Sequence, residues 1–167
     1  SFAATISAGK LFAQGGLLPL PDAKPIRGMN TPAISPDGKT ICFLRSGTQG
    51  GLYVVPTDGS APARKLAASL GNNIEFGVGI NSLSWSPDSK WIAFSRRDKI
   101  DSADVWVVQV AGGEPINITN MPGQNQNPQW SADGKFILFE SDRDKSSDIY
   151  SIALQKEKQE PDEKKPD

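Results

Sequence analysis

S-P-D-G-K at 35–39 returns as S-P-D-S-K at 86–90 and as S-A-D-G-K at 131–135. Each copy follows a short apolar segment and opens another. Ile41 and Phe43 therefore stand in the register of Ile92 and Phe94, and again of Ile137 and Phe139. Three matches at one spacing define an internal repeat. The chemistry of the pentapeptide assigns its place. Pro presets φ for the second position of a turn, Asp bonds the backbone two residues on, and Gly takes the left-handed conformation that closes it. Asp37, Gly38, Asp88, Asp133 and Gly134 are thus expected as the structural residues of hairpin corners rather than as catalytic acids. The departures are Ser89 at the Gly position and Ala132 at the Pro position.

Outward from the corners, strand-like runs recur with turn residues between them. The first clear copy predicts strands at 31–35, 40–46, 52–56 and 63–67, with Q-G-G at 49–51 and T-D-G-S at 57–60 as turns. The second predicts 82–86, 91–96, 104–110 and 115–119. The third supplies three strands, 128–131, 136–141 and 148–154. The aromatic of the third strand keeps register as Tyr53, Trp106 and Tyr150, while Trp85 and Trp130 match Ile34. Such positions are read as packing between sheets, with a ligand platform as the alternative. Ile41, Phe43, Ile92, Phe94, Ile137, Phe139, Trp85 and Trp130 are expected to be buried.

Flanking segments depart from the repeat. T-I-S-A-G-K at 5–10 overlays the corner at 33–39 with two residues deleted, so 1–28 reads as a degenerate blade or an N-terminal arm. Residues 69–79 form an insertion whose Asn72, Asn73, Ile74 and Phe76 make it a candidate binding loop, with a plain connector as the alternative. From 155 to 167 the chain is charged with no apolar residue, which predicts a solvated linker or tail.

Composition bounds the chemistry. The 167 residues carry a net charge of −1 and no basic stripe, which speaks against a nucleic-acid partner. No apolar run is long enough to span a bilayer. One cysteine, Cys42, sits in an apolar run and is read as a small core residue. The chain has no histidine, so a Ser-His-Asp triad, a Cys-His dyad and a His-ligated zinc are excluded within it. No cofactor or metal site is read from it. Asp142, Asp144 and Asp148 invite a calcium loop, yet lack its Gly and closing Glu, and Asp98, Asp101 and Asp104 form a parallel array at the same hairpin. A hairpin-turn role is preferred. Arg96, Arg97 and Arg143 are read as hairpin ion pairs, or as partners of a peptide terminus in a channel.

Four-stranded units repeating every forty to fifty residues are the signature of a β-propeller. The fold expected is all-β, a partial propeller of antiparallel four-stranded blades, with three clear repeats and one degenerate one. Blades fall at 29–80, which includes the inserted loop, at 81–125, and at 126–154, where the blade is incomplete. The wording W-S-P-D-S-K-W-I-A-F-S-R-R-D at 85–98 with D-V-W-V-V-Q-V-A-G-G at 104–113, and W-S-A-D-G-K-F-I-L-F-E-S-D-R-D at 130–144 with D-I-Y-S-I at 148–152, resembles TolB-like propeller repeats. The charged exit from the last strand is most similar to the propeller region of tricorn-like serine peptidases. That resemblance implies a non-catalytic segment of a larger peptidase acting in substrate gating, protein binding or assembly, with its nucleophile outside these residues. The alternative is a TolB-like periplasmic scaffold joined to no enzyme. It also implies a periplasmic or secreted bacterial location, with the cytoplasm as the alternative. The partners implied are protein or peptide, either the remainder of a longer polypeptide or a second copy.

Overall fold

The computed structural model describes residues 3–7, 10–14, 29–45, 48–68, 79–99 and 102–154. β1 (Ala3–Ser7) and β2 (Lys10–Gln14) pair antiparallel from Ser7 opposite Lys10. The first large sheet runs in chain order through β3 (Met29–Ile34), β4 (Thr40–Arg45), β5 (Gly51–Pro56) and β6 (Arg64–Ala68). The second repeats the meander with β7 (Gly79–Trp85), β8 (Trp91–Lys99), β9 (Ser102–Gln109) and β10 (Ile116–Asn117). The third has β11 (Gln126–Trp130), β12 (Phe136–Ser141) and β13 (Asp148–Ala153). Every strand pair is antiparallel, and each pentapeptide lies between the first two strands of its sheet. These sheets are the blades of a partial β-propeller. Among the described residues no helix is long and apolar enough to cross a membrane.

The sheets stack face to face, and the period of two along each strand sends successive side chains to opposite faces. Cys42, Leu44, Leu52, Val54 and Leu66 of the first sheet meet Ile92, Phe94 and Val108 of the second. On the opposite face of the second sheet, Ala93, Val105 and Val107 meet Ile137 and Phe139 of the third. The middle sheet is therefore apolar on both faces, which is why β8 and β9 read as nearly continuous hydrophobic runs. Complete burial of Phe94 contributes about 1.5–3 kcal/mol in transfer terms. First strands approach one another across the interfaces: the amides of Asn127 and Trp130 donate to the hydroxyls of Ser82 and Ser84 at 3.2 Å.

Several expectations are corrected. Trp130 and Ile41 are half-buried rather than buried. Ile41 pairs with Ile34, which is 61% exposed, so this end of the first sheet's outer face is open among the described residues. Trp130 forms a wall of the cleft between the second and third sheets. The fourth strand of the second sheet shrinks from 115–119 to Ile116–Asn117. The amide of Ile118 still donates to the carbonyl of Val105, and beyond it Asn117 Oδ1 accepts from the amides of Thr119 and Asn120, a side-chain turn that ends the ladder. β8 extends to Lys99, three residues beyond its expected end.

Candidate functional site

The corner face carries the three repeated carboxylates in one arrangement. In the first corner Asp37 Oδ1 accepts from Ser35 Oγ at 2.6 Å and from the amide of Lys39 at 3.0 Å, while Ser35 Oγ accepts from the amide of Thr40. Asp88 and Asp133 repeat this with Ser86 and Lys90, and with Ser131 and Lys135. The serine hydrogen bond, followed by further donors, holds each carboxyl below its ordinary value of 3.8. Gly38 and Gly134 adopt φ of 74° and 71°. Ser89 adopts 60° in the same place, a conformation that costs a side chain some strain. Its hydroxyl accepts from the amide of Asp37 at 3.1 Å, so the serine ties the second corner to the first. The equivalent Gly134 instead lies open toward Pro87, close enough that an added Cβ would make ordinary contact.

At the opposite end, the acidic groups are distributed among separate donors. Asp104 accepts from Thr119 Oγ1 at 2.6 Å and Asn117 Nδ2 at 3.0 Å. Asp142 accepts from the amide of Gln124, Asp144 from the phenol of Tyr150, and Asp148 from Ser146 Oγ. The Asp144 bond pushes the Tyr150 hydroxyl up from its ordinary value of 10.0. Among the described residues no three His, Cys, Asp or Glu side chains converge on a common point. Asp98 and Asp101 contribute no described side chains, and the loop candidates Asn72, Asn73, Ile74 and Phe76 lie outside the described residues.

The arginines do something the sequence reading did not find. Arg96 lies 3.6 Å over the ring of Trp106, Arg143 lies 3.9 Å over Tyr150, and Arg45 lies 5.8 Å over Tyr53. A cation in or just beyond each second strand thus lies over the aromatic of the third strand, a contact worth about 0.5–1 kcal/mol when exposed and more when desolvated. The signal was present as a cation in or just after each second strand, Arg45 and Arg96 within β4 and β8 and Arg143 two residues past β12, beside an aromatic already in register. Arg97 donates to Gln124 Oε1 at 2.8 Å, and Arg143 also donates to Ser141 Oγ at 3.2 Å.

Cys42 is fully buried in the first interface, and burial pushes its thiol up to about 12, away from the thiolate chemistry a nucleophile needs. Among the described residues, concave surface lies at both the hairpin end and the corner end. A polar cleft of about 400 Å³ is lined by Arg96, Asp104 and Asn117 at the hairpin end. Apolar clefts of about 530 and 570 Å³ open between successive sheets at the corner end.

No family model matches the chain. It is 40% identical over 55 residues to the Tol-Pal system protein TolB of Nitratidesulfovibrio vulgaris, covering 33% of this chain and 12% of that protein. Over 127 residues it is 27% identical to a putative tricorn-like protease C-terminal subunit of Sulfurisphaera tokodaii, covering 74% of this chain and 14% of the relative. The structure of a putative TolB from Agrobacterium tumefaciens superposes with a TM-score of 0.61 at 24% identity, over 79% of this chain and 45% of that one. The chain spans about an eighth of the length of these curated relatives. Over the parts matched, the chain is thus similar in sequence to TolB and to a tricorn-like protease relative, and similar in fold to a TolB structure.

Proposed function

We propose that the chain is a non-catalytic propeller segment of a larger tricorn-like peptidase, serving in substrate gating, protein binding or assembly. In this reading 29–80, 81–125 and 126–154 are its blades, and 155–167 leads away from them. Residues 1–28 form a degenerate blade or arm, the loop at 72–76 is a contact surface, and the corner aspartates are structural. The location is the periplasm or the exterior of a bacterial cell.

The observation that carries the reading is the uncovered face of the third sheet. Leu138 stands in the register of Cys42 and Ala93, each of which faces the next blade, yet Leu138 and Phe136 are both 42% exposed and Ile149 is 71% exposed. An apolar sheet face of this kind is suited to another blade of a longer polypeptide or to a second copy. The match to the tricorn-like relative over 74% of the chain supports the peptidase context. A second reading, a TolB-like periplasmic scaffold attached to no enzyme, is favoured by the 40% identity to TolB.

The complete reading frame tests the choice. A serine-peptidase domain beyond residue 167 is expected; an upstream α/β domain with a reading frame ending at the propeller would replace this reading with the second. The purified chain should leave a mixed fluorogenic peptide panel at background. Turnover that disappears on substituting one of its own residues would refute the non-catalytic assignment.

A further inference from the structure

The two clefts at the corner end are built from equivalent positions and lined differently. In the first, Arg64 pairs opposite Val54 and its guanidinium donates to the carbonyl of Val110 in the next sheet. In the second, the same register position opposite Val107 is Ile116, which is 53% exposed. Leu154 stands there for Val110, since each donates its amide to the carbonyl of the corner lysine, Lys135 or Lys90. The cationic strap of the first cleft has become an apolar side chain at the mouth of the second.

The walls differ as well. Thr40 in the first cleft is replaced by Trp91 in the second. Trp85 donates its indole N–H to the carbonyl of Ala33 at 3.1 Å and is buried in the first interface. Its counterpart Trp130 has no acceptor for that group among the described residues, and its ring lines the second cleft. Two indoles therefore face an apolar space whose floor includes Ile118 and Leu154. Asp88 and Asp133 line the rim, whereas Lys90 and Lys135 are not among the lining residues. Lys135 lies 3.6 Å from Asp133 but is 72% exposed, where solvent screens the pair.

We infer that this cleft is a docking site for an extended peptide segment with a large apolar side chain flanked by Lys or Arg. The apolar side chain enters between Trp91 and Trp130, and the flanking cations reach the two corner carboxylates. Aromatic walls with a few charged groups at the rim are what orients such a ligand. The inference is independent of whether the arc is joined to a peptidase, so it stands or falls separately from the reading frame.

The test is titration of the chain with acetyl-Lys-Phe-Lys-amide, followed by tryptophan fluorescence and calorimetry. Saturable binding is expected, at least about tenfold weaker for the Glu-Phe-Glu and Lys-Ser-Lys counterparts and weakened by added salt. Ile116→Arg, which rebuilds the strap of the first cleft at an exposed position, and Trp91→Thr, which copies its wall, should each weaken binding about tenfold. Circular dichroism of both variants should match the parent chain. Equal binding of the acidic and basic peptides, parental affinity in a folded Ile116→Arg variant, or no saturation at millimolar peptide would each overturn the inference.

Discussion

Replacing Ser86 with Ala should reveal how the repeated corner stabilises a blade. Ser86 is 1% exposed, and its hydroxyl both donates to Asp88 Oδ1 at 2.6 Å and accepts from the amide of Trp91 at 2.9 Å. The first bond ends on a carboxylate that is largely exposed, so it belongs at the lower end of the range for charged partners, about 1.5 kcal/mol. The second, between neutral groups, contributes about 1 kcal/mol. Ser86→Ala should thus cost roughly 2.5 kcal/mol, a shift on the order of 1 M in the urea midpoint followed by tryptophan fluorescence. The pH dependence separates the two bonds. Asp88 is held below its ordinary value of 3.8, chiefly by Ser86, so its contribution is present above that value and is lost as the pH falls through the folded value. The gap between the parent chain and the variant should therefore narrow toward about 1 kcal/mol as the carboxyl protonates. A loss below about 0.5 kcal/mol at neutral pH, or a gap that does not change on acidification, would refute the account of the corner.

Phe94→Ala should cost about 3–5 kcal/mol, whereas Ile34→Ala, at a residue 61% exposed, should stay within about 0.5 kcal/mol; equal losses in urea denaturation would contradict the assigned faces. At the second corner, Ser89→Gly relieves φ of 60° while removing the bond to Asp37, so its net effect in the same assay should be small. Ser89→Ala removes the bond and keeps the strain, and should be about 1 kcal/mol less stable than Ser89→Gly. Cys42, with its thiol pushed up to about 12, should resist Ellman's reagent at mildly alkaline pH in the native chain and react at once in urea; rapid native labelling would show an open first interface.

Most of the fold was legible because one turn sets the register of each blade. Once Asp37, Asp88 and Asp133 are placed at corners, strand alternation sends Phe43, Phe94 and Phe139 to equivalent faces, and all three are buried. What escaped depends on contacts between repeats, which local spacing does not encode. Ser89 stood out only as a departure from the Gly of the corner, yet its hydroxyl is an inter-blade tie. Arg96 and Arg143 were read by charge alone, although their planar groups cover aromatic rings. Trp130 matched Trp85 by position, but Trp85 donates to the carbonyl of Ala33 while Trp130 lines an open cleft. The short β10 likewise follows from Asn117, whose side chain competes with the ladder for backbone amides.

The central claim is that the repeats stack as successive blades, with Phe94 and Ala93 sent to opposite interfaces. Proton NOEs in a methyl-labelled sample read this directly. Phe94 should show cross-peaks to the methyls of Leu52 and Val54, while the methyls of Ala93 and Val107 should show them to Ile137 and Phe139. Cross-peaks joining Phe94 to Phe139, with none from Phe94 to Leu52 or Val54, would contradict the stacking.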